Sequence, residues 1–473
     1  MKPSARRLRS APGIASVLPD RVLEIARRVE QAGGRLLVVG GWVRDALRGE
    51  TAKDLDLEVY GLSSDSTDRL LSAFGFTPPV GKQFPVWRQT RESIDVGLPR
   101  GVDPETWESS PASLEPALAR ASRGRDLTLN AIAFDPLGGD LLDPLGGAAD
   151  LEAGVLRMAD ATRFAEDPLR VLRAARLAAK LGARPDPALV KQAGRMDLSG
   201  LPGERVAGEL RRVLLELERP WRAVEWLDRL GQLSCLGPIA ALQGIDQDPI
   251  WHPEGDVYVH TGQVVDQAAL IAKSLTPASA EILMWSALCH DFGKPDTTRR
   301  DEAGRIRSPG HARRSAERAR AWLIELHVAR RLIDSIEVLV KRHLDPAQFV
   351  KQGAGPKGYR RLARQLSAGG VNPVDLERLA RADHLGRSTE HASAEPFAAG
   401  ARFLEAARSA GVDHGVRPDV VSAAALMRGG VEAGPELGRL LARCREIQDE
   451  TGWTDEARIR VRALEERRAR GSG

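Results

Sequence analysis

The chain has 473 residues, of which 42% are hydrophobic and 28% are charged, and its formal net charge is +4. This length predicts about two to four domains, and the composition is that of a soluble globular protein. No apolar run reaches the roughly 20 residues that a membrane-spanning helix needs, and the first residues lack the apolar core of a signal peptide. We therefore expect a cytoplasmic protein without a membrane partner. The small net charge leaves any nucleic-acid partner to be argued from a site.

The amino-terminal part predicts an α/β domain that begins with one helix. Residues 18–34, LPDRVLEIARRVEQAGG, space their apolar side chains as a helix does and end in two glycines. From Arg35 to Gly101, β-rich runs such as RLLVVG, DLDLEVY and SIDVGL alternate with helical runs such as WVRDALRG. We expect an α/β sheet with an antiparallel contribution, in a head domain that spans residues 1–160.

Two aspartates stand one residue apart in the run DLDLEVY. Side chains on a strand alternate between faces, so Asp54 and Asp56 should share one face while Leu55 and Leu57 turn into the core. Two carboxylates about 7 Å apart repel each other unless a cation lies between them, and Mg²⁺ prefers oxygen ligands and leaves room for phosphate. A third carboxylate, Asp95, lies between apolar residues in SIDVGL. The pattern predicts a magnesium site.

A pair of glycines ends the apolar run LLVV just upstream. Gly40 and Gly41 let backbone amides approach a ligand, and the helix that follows would direct its positive end at an anion, with Arg44 adding a full charge. A triphosphate held by this turn and by metal on the aspartates would account for the whole stretch. Taken singly, the aspartate pair is also typical of a solvated strand edge and the glycine pair of an ordinary turn. The combination is much harder to explain as surface.

Four stretches, in this order, resemble the motifs of a known family. They are GGWVRDALRGETAKDLDLEV, GRDLTLNAIAFD, LLDPLGGAADLEAGVLR and FAEDPLRVLRAARLAAKLG. They are similar to the nucleotidyltransferase motif, the Arg-Arg-Asp motif, the hinge segment and the nucleobase-reading helix of the polymerase-β superfamily. The form is that of bacterial class II CCA-adding enzymes and bacterial poly(A) polymerases. The resemblance implies a polymerase-β-like head in which Asp54, Asp56 and Asp95 are catalytic and hold Mg²⁺.

The resemblance also assigns the second motif to the ribose of the nucleotide. Arg125 and Asp126 would contact that sugar and so favour ribonucleotides. The chain departs from the family at Gly124, which stands where the family has the first Arg of its triplet. The departure puts only a secondary phosphate or RNA contact in question.

The fourth motif is the nucleobase-reading helix. Asp167 and Arg170 would hydrogen-bond the base edge of ATP or CTP, and Arg173 and Arg176 would reach base, phosphates or primer. The spacing by three places these side chains on one helical face. Taken alone, such a stripe is also typical of a solvated basic helix.

Beyond about Arg163 strand signals almost vanish, which predicts a helical remainder. We expect an all-α neck or body over residues 161–245, a second region over 246–392 that opens with the turn-rich QGIDQDPIWHPEGD, and a helical tail over 393–473. RNA should lie along the helical body, contacted by arginines such as those in RRLARQL and ARIRVRALEERRAR. Each of these stretches is equally typical of an ordinary solvated face.

The second region carries most of the histidines. His290 and Asp291 follow the apolar run ILMWSALC, so a mostly buried helix should present them, and burying that pair is costly without a metal. The order of histidines and aspartates resembles the all-α HD phosphohydrolase domain, which binds a divalent metal. The resemblance implies a divalent transition metal held by His260, His290, Asp291, His311, His343 and Asp383. Lys294 would assist at a phosphate. A degenerate domain kept as a scaffold is the alternative.

Head, neck, HD domain and tail together resemble the HD-containing bacterial CCA-adding enzymes over nearly the whole chain. The resemblance implies a tRNA nucleotidyltransferase that adds or repairs the 3′-terminal CCA with CTP and ATP, with HD phosphatase or cyclic phosphodiesterase activity on 2′,3′ ends. A poly(A) polymerase, or an enzyme that adds only CC or only the last A, shares the head motifs. Two other classes stay open: a regulatory HD phosphohydrolase with a vestigial nucleotidyltransferase domain, and an RNA-binding protein without catalysis.

Overall fold

The structure, a computed structural model, describes residues 6–8, 14, 16–50, 54–80, 85–99, 111–388 and 397–471. Its internal contacts divide the chain into two compact units, residues 1–201 with 222–232 and residues 202–221 with 233–473. Within the described ranges, no helix is both long and apolar enough to cross a membrane. The four-part domain division expected from the sequence stays a prediction.

The first unit is built around a seven-stranded mixed sheet. Its strands are β1 Arg6–Leu8, β2 Arg35–Val39, β3 Leu55–Tyr60, β4 Val86–Gln89, β5 Ile94–Gly97, β6 Ala133–Phe134 and β7 Leu141–Asp143. The order across the sheet is β1-β7-β6-β2-β3-β5-β4. Strands β3 and β5 run parallel, and every other neighbouring pair is antiparallel. The predicted α/β head with an antiparallel contribution is confirmed.

Helices pack on both faces of this sheet. Those of the first unit are α1 Asp20–Gln31, α2 Gly41–Leu47, α3 Ser64–Ser72, α4 Pro111–Ser122, α5 Gly147–Ala153, α6 Ala161–Ala165, α7 Leu169–Leu181 and α8 Pro187–Ala193. A short parallel pair, β8 Val155–Leu156 and β9 Arg184–Pro185, joins the start and end of this helical part. The helix predicted at residues 18–34 is α1, slightly shorter than expected.

The alternation of side chains along β2 explains the two core clusters of the head. Leu36 and Val38 face the cluster that contains α1 and α2, whereas Leu37 and Val39 face a second cluster with α4. Both faces of β2 are therefore buried, and an unbroken apolar run is what such a strand requires. Strand β3 alternates instead, because its second face carries the acidic side chains described below.

The second unit is helical. The remaining helices of the chain are α9 Gly203–Glu216, α10 Trp221–Arg229, α11 Gly237–Ala240, α12 Val257–Ala272, α13 Pro277–Cys289, α14 Lys294–Thr297, α15 His311–Glu325, α16 Arg330–Arg342, α17 Asp345–Lys351, α18 Pro356–Ser367, α19 Pro373–Leu385, α20 Ala398–Ser409, α21 Ala423–Arg428, α22 Pro435–Thr451 and α23 Glu456–Gly471. Beyond Trp221, α10 belongs to the first unit. Two-residue strands β10 Arg299–Arg300 and β11 Ile306–Arg307 form the small hairpin of this unit. The predicted helical remainder is confirmed.

Several helices of this unit begin at side-chain caps. Asp256, Thr276 and Asn372 each accept a hydrogen bond from a backbone amide in the first turn of α12, α13 and α19. Such caps satisfy amides that have no partner inside the helix and stabilise a helix by about 1 kcal/mol each. They set where these helices begin, and the histidine site depends on all three helices.

Two candidate active sites

The carboxylates of the head meet on neighbouring strands. Asp56 in β3 pairs in register with Asp95 in the parallel strand β5, so their backbones lie about 5 Å apart. Asp54 directly precedes β3 and shares the face of Asp56. Between them, Leu55 and Leu57 are 4% and 1% exposed. The predicted alternation is confirmed, and the three aspartates are brought together.

The surroundings of Asp56 favour a bound cation. Burial raises the pKa of its carboxyl, Arg125 opposes that shift, and the negative charges of Asp95, Asp54 and Glu58 reinforce it. A raised pKa means that the ionised form is disfavoured, and a divalent cation among these oxygens would remove the repulsion. A cluster of carboxylates on neighbouring strands fits a hard ion that takes oxygen ligands.

Gly40 brings the backbone close to these carboxylates. Its φ is +78°, a conformation that side-chain-bearing residues rarely adopt. A Cβ at this position would lie 3.0 Å from Oδ2 of Asp56 and 3.8 Å from Nη1 of Arg125. The glycine therefore serves a close approach at the site, not merely an ordinary turn. Contacts of Gly40 and Gly41 with a nucleotide stay a prediction.

Arg44 is buried beneath the start of α2, where Asp45 offsets its charge. Its Nε donates to Oδ1 of Asp45 at 2.7 Å, and its Nη1 donates to Oδ1 of Asn130 at 2.6 Å. Lys180 adds a second cation to the same Asp45 at 2.9 Å. In this arrangement Arg44 braces α2 against the turn at residues 128–130. Its predicted role toward an anion stays a prediction.

Arg125 is held next to Asp56 by a residue that the sequence analysis overlooked. Its Nη2 pairs with Oε1 of Glu58, and the hydroxyl of Tyr60 donates to the other oxygen of Glu58 at 2.8 Å. Glu58 follows Asp56 by two positions, so it lies on the same face of β3. That spacing was visible in DLDLE and is the signal that would have found it.

Asp126 is nearly saturated by donors of the protein. It accepts hydrogen bonds from the amide of Leu127, from Asn130 Nδ2 and from Arg173 Nε, each at 2.8 Å. Burial alone would raise the pKa of Asp126, but Arg173 and the hydrogen bonds outweigh burial and lower that pKa to about 2. About one of its four acceptor positions is left for a ribose hydroxyl.

Helix α7 is a buried helix, so the alternative of a solvated basic face is wrong. Arg170 and Arg176 are 9% and 7% exposed. Arg170 donates to the backbone carbonyls of residues 124, 125 and 163 and thereby fixes the second motif. Asp167 precedes the first residue of α7 and accepts from the amide of Leu169 at 3.2 Å. Base contacts of Asp167, Arg170, Arg173 and Arg176 stay a prediction.

The six residues predicted as HD ligands come together in the second unit. They are His260 in α12, His290 and Asp291 directly after α13, His311 at the start of α15, His343 directly after α16, and Asp383 in α19. Asp291 lies at the centre: its oxygens are 3.2 Å from His290 Nε2, 3.4 Å from His311 Nε2 and 3.8 Å from His260 Nε2. Asp383 Oδ1 lies 3.1 Å from His260 Nε2.

The histidine rings are oriented by hydrogen bonds on their outer nitrogens. Nδ1 of His290, His311 and His343 faces the carbonyls of Ala287, Ser308 and Val340 at 2.7–2.8 Å. A carbonyl only accepts, so these nitrogens carry a proton, and Nε2 of each ring faces the interior of the centre. Backbone carbonyls commonly orient metal-binding histidines in this way.

Two of these rings face each other with their inner nitrogens. Nε2 of His311 and Nε2 of His343 are 3.3 Å apart. Burial lowers the pKa of His343 to about 3 and lowers the pKa of His311 as well, so both rings are neutral at pH 7. Burial opposes ionisation of His290 too, but the charge of Asp291 outweighs it and raises that pKa. Facing lone pairs at this distance call for a cation between them.

The donor set fits a divalent metal. His290 Nε2 and both oxygens of Asp291 are buried and have no hydrogen-bond partner among the residues that the structure describes, which is costly for polar atoms. Lys294 offers only an ion-pair contact to Asp291 at 2.6 Å. Although burial opposes it, the charges of His290 and Lys294 hold the pKa of Asp291 well below its ordinary value. Imidazole nitrogens with carboxylate oxygens are typical ligands of Zn²⁺ and related ions.

Local sequence explains how this centre packs. Gly293, two residues after Asp291, has no room for a Cβ, which would lie 2.6 Å from the carbonyl oxygen of His311. Its amide donates to Ser315 Oγ at 2.8 Å. The turn that carries Asp291 therefore lies directly against the start of α15, where His311 stands.

The sequence analysis missed three residues that touch this centre. Gln247 accepts a hydrogen bond from Lys294 at 2.6 Å, Arg387 donates to Asp383 at 3.1 Å, and Glu254 accepts from His260 at 2.9 Å. Glu254 lies in the quoted stretch QGIDQDPIWHPEGD, and its distance from His260 along the chain gave no periodic signal.

Arginines of the two basic stretches proposed for RNA are engaged within the protein. In RRLARQL, Arg360 donates to the carbonyl of Asp449 at 3.1 Å and Arg364 pairs with its carboxylate at 2.8 Å. In the last helix, Arg458 stacks over Trp453 at 3.8 Å and Arg462 pairs with Glu466. Contact of either stretch with RNA stays a prediction.

A sheet carrying paired aspartates, with a helical unit carrying a histidine and aspartate centre, defines the class: a nucleotidyltransferase head with an HD domain. The family of the poly A polymerase head domain matches residues 36–157, and the HD domain family matches residues 257–385. The multifunctional CCA protein of Halorhodospira halophila is 35% identical over 438 residues, which cover 86% of this chain and 95% of that protein. The corresponding protein of Aromatoleum aromaticum is 38% identical over 323 residues, 65% of this chain and 74% of its own. The chain belongs to the multifunctional CCA protein family.

Solved structures support the same fold. A CCA-adding enzyme in complex with CTP aligns over 97% of this chain and 98% of its own, with a TM-score of 0.61 at 16% identity. The Thermotoga maritima CCA-adding enzyme complexed with tRNA aligns over 98% of this chain and 99% of its own, with a TM-score of 0.57 at 16% identity. The chain has the fold of a CCA-adding enzyme with an HD domain.

Proposed function

We propose that the head adds or repairs the 3′-terminal CCA of tRNA, using CTP and ATP. The observation that carries the proposal is the register pair of Asp56 and Asp95, with the backbone of Gly40 in close approach to Asp56. Membership of the multifunctional CCA protein family supports it, as do related folds described with CTP, ATP and tRNA. The reaction joins a nucleoside monophosphate to a 3′-hydroxyl and releases pyrophosphate.

In this proposal Asp54, Asp56 and Asp95 hold Mg²⁺. When bound, Mg²⁺ neutralises triphosphate charge and polarises the attacking 3′-oxygen. The residues of the chain would position the nucleotide. Because Gly40 has no side chain, the phosphates could approach its backbone beside Asp56, and Arg125, held by Glu58, lies next to the same glycine. Because the guanidinium is already oriented, little side-chain entropy is lost when a nucleotide binds.

Helix α7 would carry base recognition. Arg170 is anchored to the carbonyls of residues 124 and 125, so a base bound at its side would be positioned relative to Arg125 and Asp126. Arg173 is tied to Asp126 in the same way. Sugar contacts and base contacts thus belong to one hydrogen-bonded block, which suits a protein template that must select C or A.

We also propose that the second unit is a metal-dependent phosphohydrolase acting on phosphoesters at 2′,3′ RNA ends. His260, His290, Asp291, His311, His343 and Asp383 would hold one or more divalent transition-metal ions, which when bound lower the pKa of water and supply a nucleophile. The carbonyl bonds on Nδ1 keep three of the rings aimed inward. Lys294, whose ammonium lies 2.6 Å from the carboxylate of Asp291, would neutralise the charge of a bound phosphate.

One assay tests the head. Transfer RNA that ends at the discriminator base is incubated with CTP, with ATP, or with both, and the products are sized. Addition that stops after about three nucleotides with both substrates is expected for CCA synthesis. A long adenylate ladder would instead identify a poly(A) polymerase, and stopping after CC or after A alone would identify a partial enzyme.

Two variants separate the centres in that assay. Asp56→Ala should abolish addition while metal-dependent hydrolysis of a nucleoside 2′,3′-cyclic phosphate continues, and His290→Ala should do the reverse. Addition that survives Asp56→Ala would refute the transfer site. Binding of tRNA without any incorporation by the unmodified chain would favour an RNA-binding protein without catalysis.

A further inference from the structure

Glu254 is a buried carboxylate at the edge of the histidine centre. Its side chain is 0% exposed. Oε1 accepts hydrogen bonds from Nδ1 of His252 and from Nδ1 of His260, both at 2.9 Å, and Oε2 accepts from the amide of Ser388 at 3.1 Å. A carboxylate in a dry environment is costly unless its oxygens are used, and here both are.

We infer that Glu254 is a positioning residue for His260, the ligand that the proposed metal centre takes from α12. Because a carboxylate only accepts, Nδ1 of His260 donates to Glu254, and when a metal is bound Nε2 would be the nitrogen left to coordinate it, beside Asp383 and Asp291 at 3.1 Å and 3.8 Å. Among the four predicted histidine ligands, His260 is the one for which the structure gives a charged acceptor; the other three face backbone carbonyls. A charged acceptor makes an imidazole a more basic ligand.

The same carboxylate fixes a second part of the centre. Ser388 follows α19, and Arg387 before it pairs with Asp383 at 3.1 Å. Glu254 therefore ties the end of the helix that carries Asp383 to the turn that precedes α12. One side chain sets the orientation of His260 and limits the movement of the segment beside Asp383.

A separate metal site formed by His252, Glu254 and His260 is the competing interpretation, since their donor atoms lie within 4.8 Å of one another. The hydrogen bonds already account for those contacts: each Nδ1 donates to Oε1 at an ordinary distance. His260 would also have to coordinate through both ring nitrogens at once. The two interpretations differ in how many ions the chain binds.

The inference rests on the proposed metal centre, so its test includes a variant that removes a ligand outright. Full-length chain freed of metal is titrated with Co²⁺ in competition with a chelator, and the affinity, the number of ions bound and the ligand-field spectrum are recorded. The variants are Glu254→Gln, His252→Ala and His260→Ala. Glu218→Gln, a carboxylate that is 86% exposed and pairs with Lys273, is the matched surface control.

Glu254→Gln should weaken Co²⁺ about 10- to 100-fold without changing the number of ions, the usual cost of removing an outer hydrogen-bond partner of a ligand. The side-chain amide introduced by Glu254→Gln would either accept weakly from Nδ1 of His260 or donate to it. In the second case the proton of the ring would move to Nε2, the nitrogen that should bind the metal. The spectrum should shift, while His252→Ala and Glu218→Gln should bind as the unmodified chain does. Nucleotide addition by the head in each variant shows that the chain is folded.

Three outcomes would overturn the inference. If Glu254→Gln binds Co²⁺ with unchanged affinity and spectrum while His260→Ala loses binding, the role of Glu254 is refuted and the metal centre is not. One ion fewer in both Glu254→Gln and His252→Ala would make Glu254 a ligand of a separate site. Unchanged binding in His260→Ala would refute the metal centre itself and the inference with it.

Discussion

The two candidate sites gather acidic and basic groups by different means. The head places Asp56 and Asp95 on hydrogen-bonded neighbouring strands, so strand register alone sets their separation. The second unit collects its ligands from the ends and interiors of five helices, so their separation depends on how those helices pack. The head site is partly open, with Asp95 41% exposed, whereas His260, His290 and Asp291 are at most 1% exposed. A sheet builds a site from local rules, and a helical unit builds one from its tertiary structure.

The largest effect should come from removing the central carboxylate of the head. Asp56→Asn keeps the size of the side chain but removes the charge that would hold Mg²⁺, and nucleotide addition should fall at least about 10³-fold. Initial rates with tRNA and labelled CTP measure it. Asp65→Asn, an exposed carboxylate on α3, should leave the rate unchanged. Equal loss in both variants would mean that Asp56 has no special role.

Removing a histidine of the second unit should abolish only the hydrolysis proposed for that unit. His290→Ala removes one inward-facing nitrogen next to Asp291, and hydrolysis of a nucleoside 2′,3′-cyclic phosphate should fall at least about 10²-fold while addition of CCA is retained. Phosphate release with added divalent metal measures it. His414→Ala, whose side chain is 79% exposed, is the matched control. Loss of addition in His290→Ala would show that the two sites are coupled.

A pair of glycines tests whether the head site depends on the close approach of the backbone to Asp56. Gly40, at φ +78° and ψ −148°, has a conformation that is essentially restricted to glycine, and Gly49 has a φ of +72°, so alanine is strained at both positions. A Cβ at Gly40 meets Asp56, whereas at Gly49 nothing lies within 4 Å. Nucleotide addition should therefore fall about 10- to 100-fold in Gly40→Ala only. Similar rates in the two variants would contradict the proposed approach of a ligand at Gly40.

The smallest effect concerns stability and its dependence on pH. The pKa of Asp126 is about 2 in the folded head and 3.8 in the reference state, so its ionised form stabilises the fold by about 2 kcal/mol at neutral pH. Because the folded pKa is the lower one, this contribution is present above about pH 4 and is lost as pH falls toward 2. Urea midpoints of the unmodified chain and of Asp126→Asn should differ at pH 7 and converge in acid. A difference that persists at low pH would contradict this assignment.

The sequence predicted the placement of the head aspartates well, because the alternation of side chains along a strand is a local rule. The spacing of Asp54 and Asp56, the apolar residues between them and the glycine turn all report on one strand and its neighbour. The sequence did not reveal that Glu58 holds Arg125, although the same two-residue period contains the signal. The predicted role of Arg44 toward an anion stays a prediction, and its contacts with Asp45 and Asn130 gave no signal in the sequence.

The histidine centre was found through family resemblance more than through spacing. His290 and Asp291 had a physical argument of their own, because a buried pair needs a partner, and the structure bears out their burial. Nothing in the chain around Asp383 distinguishes it from other aspartates, since its place is set by the packing of α19 against α12. Glu254 was missed for the same reason: a hydrogen bond across a turn leaves no periodic trace.

The position of α1 has a practical consequence for anyone dissecting this protein. The match to the head domain family starts at residue 36, yet Val22, Ile25 and Val29 of α1 belong to the same core cluster as Leu36 and Val38. Gly34 fits where a Cβ would lie only 2.8 Å from the carbonyl oxygen of Tyr60, so helix and sheet are joined without slack. A fragment that begins at residue 36 would expose the apolar face of the sheet that α1 covers, and we expect it to aggregate. An isolated head should begin ahead of Asp20.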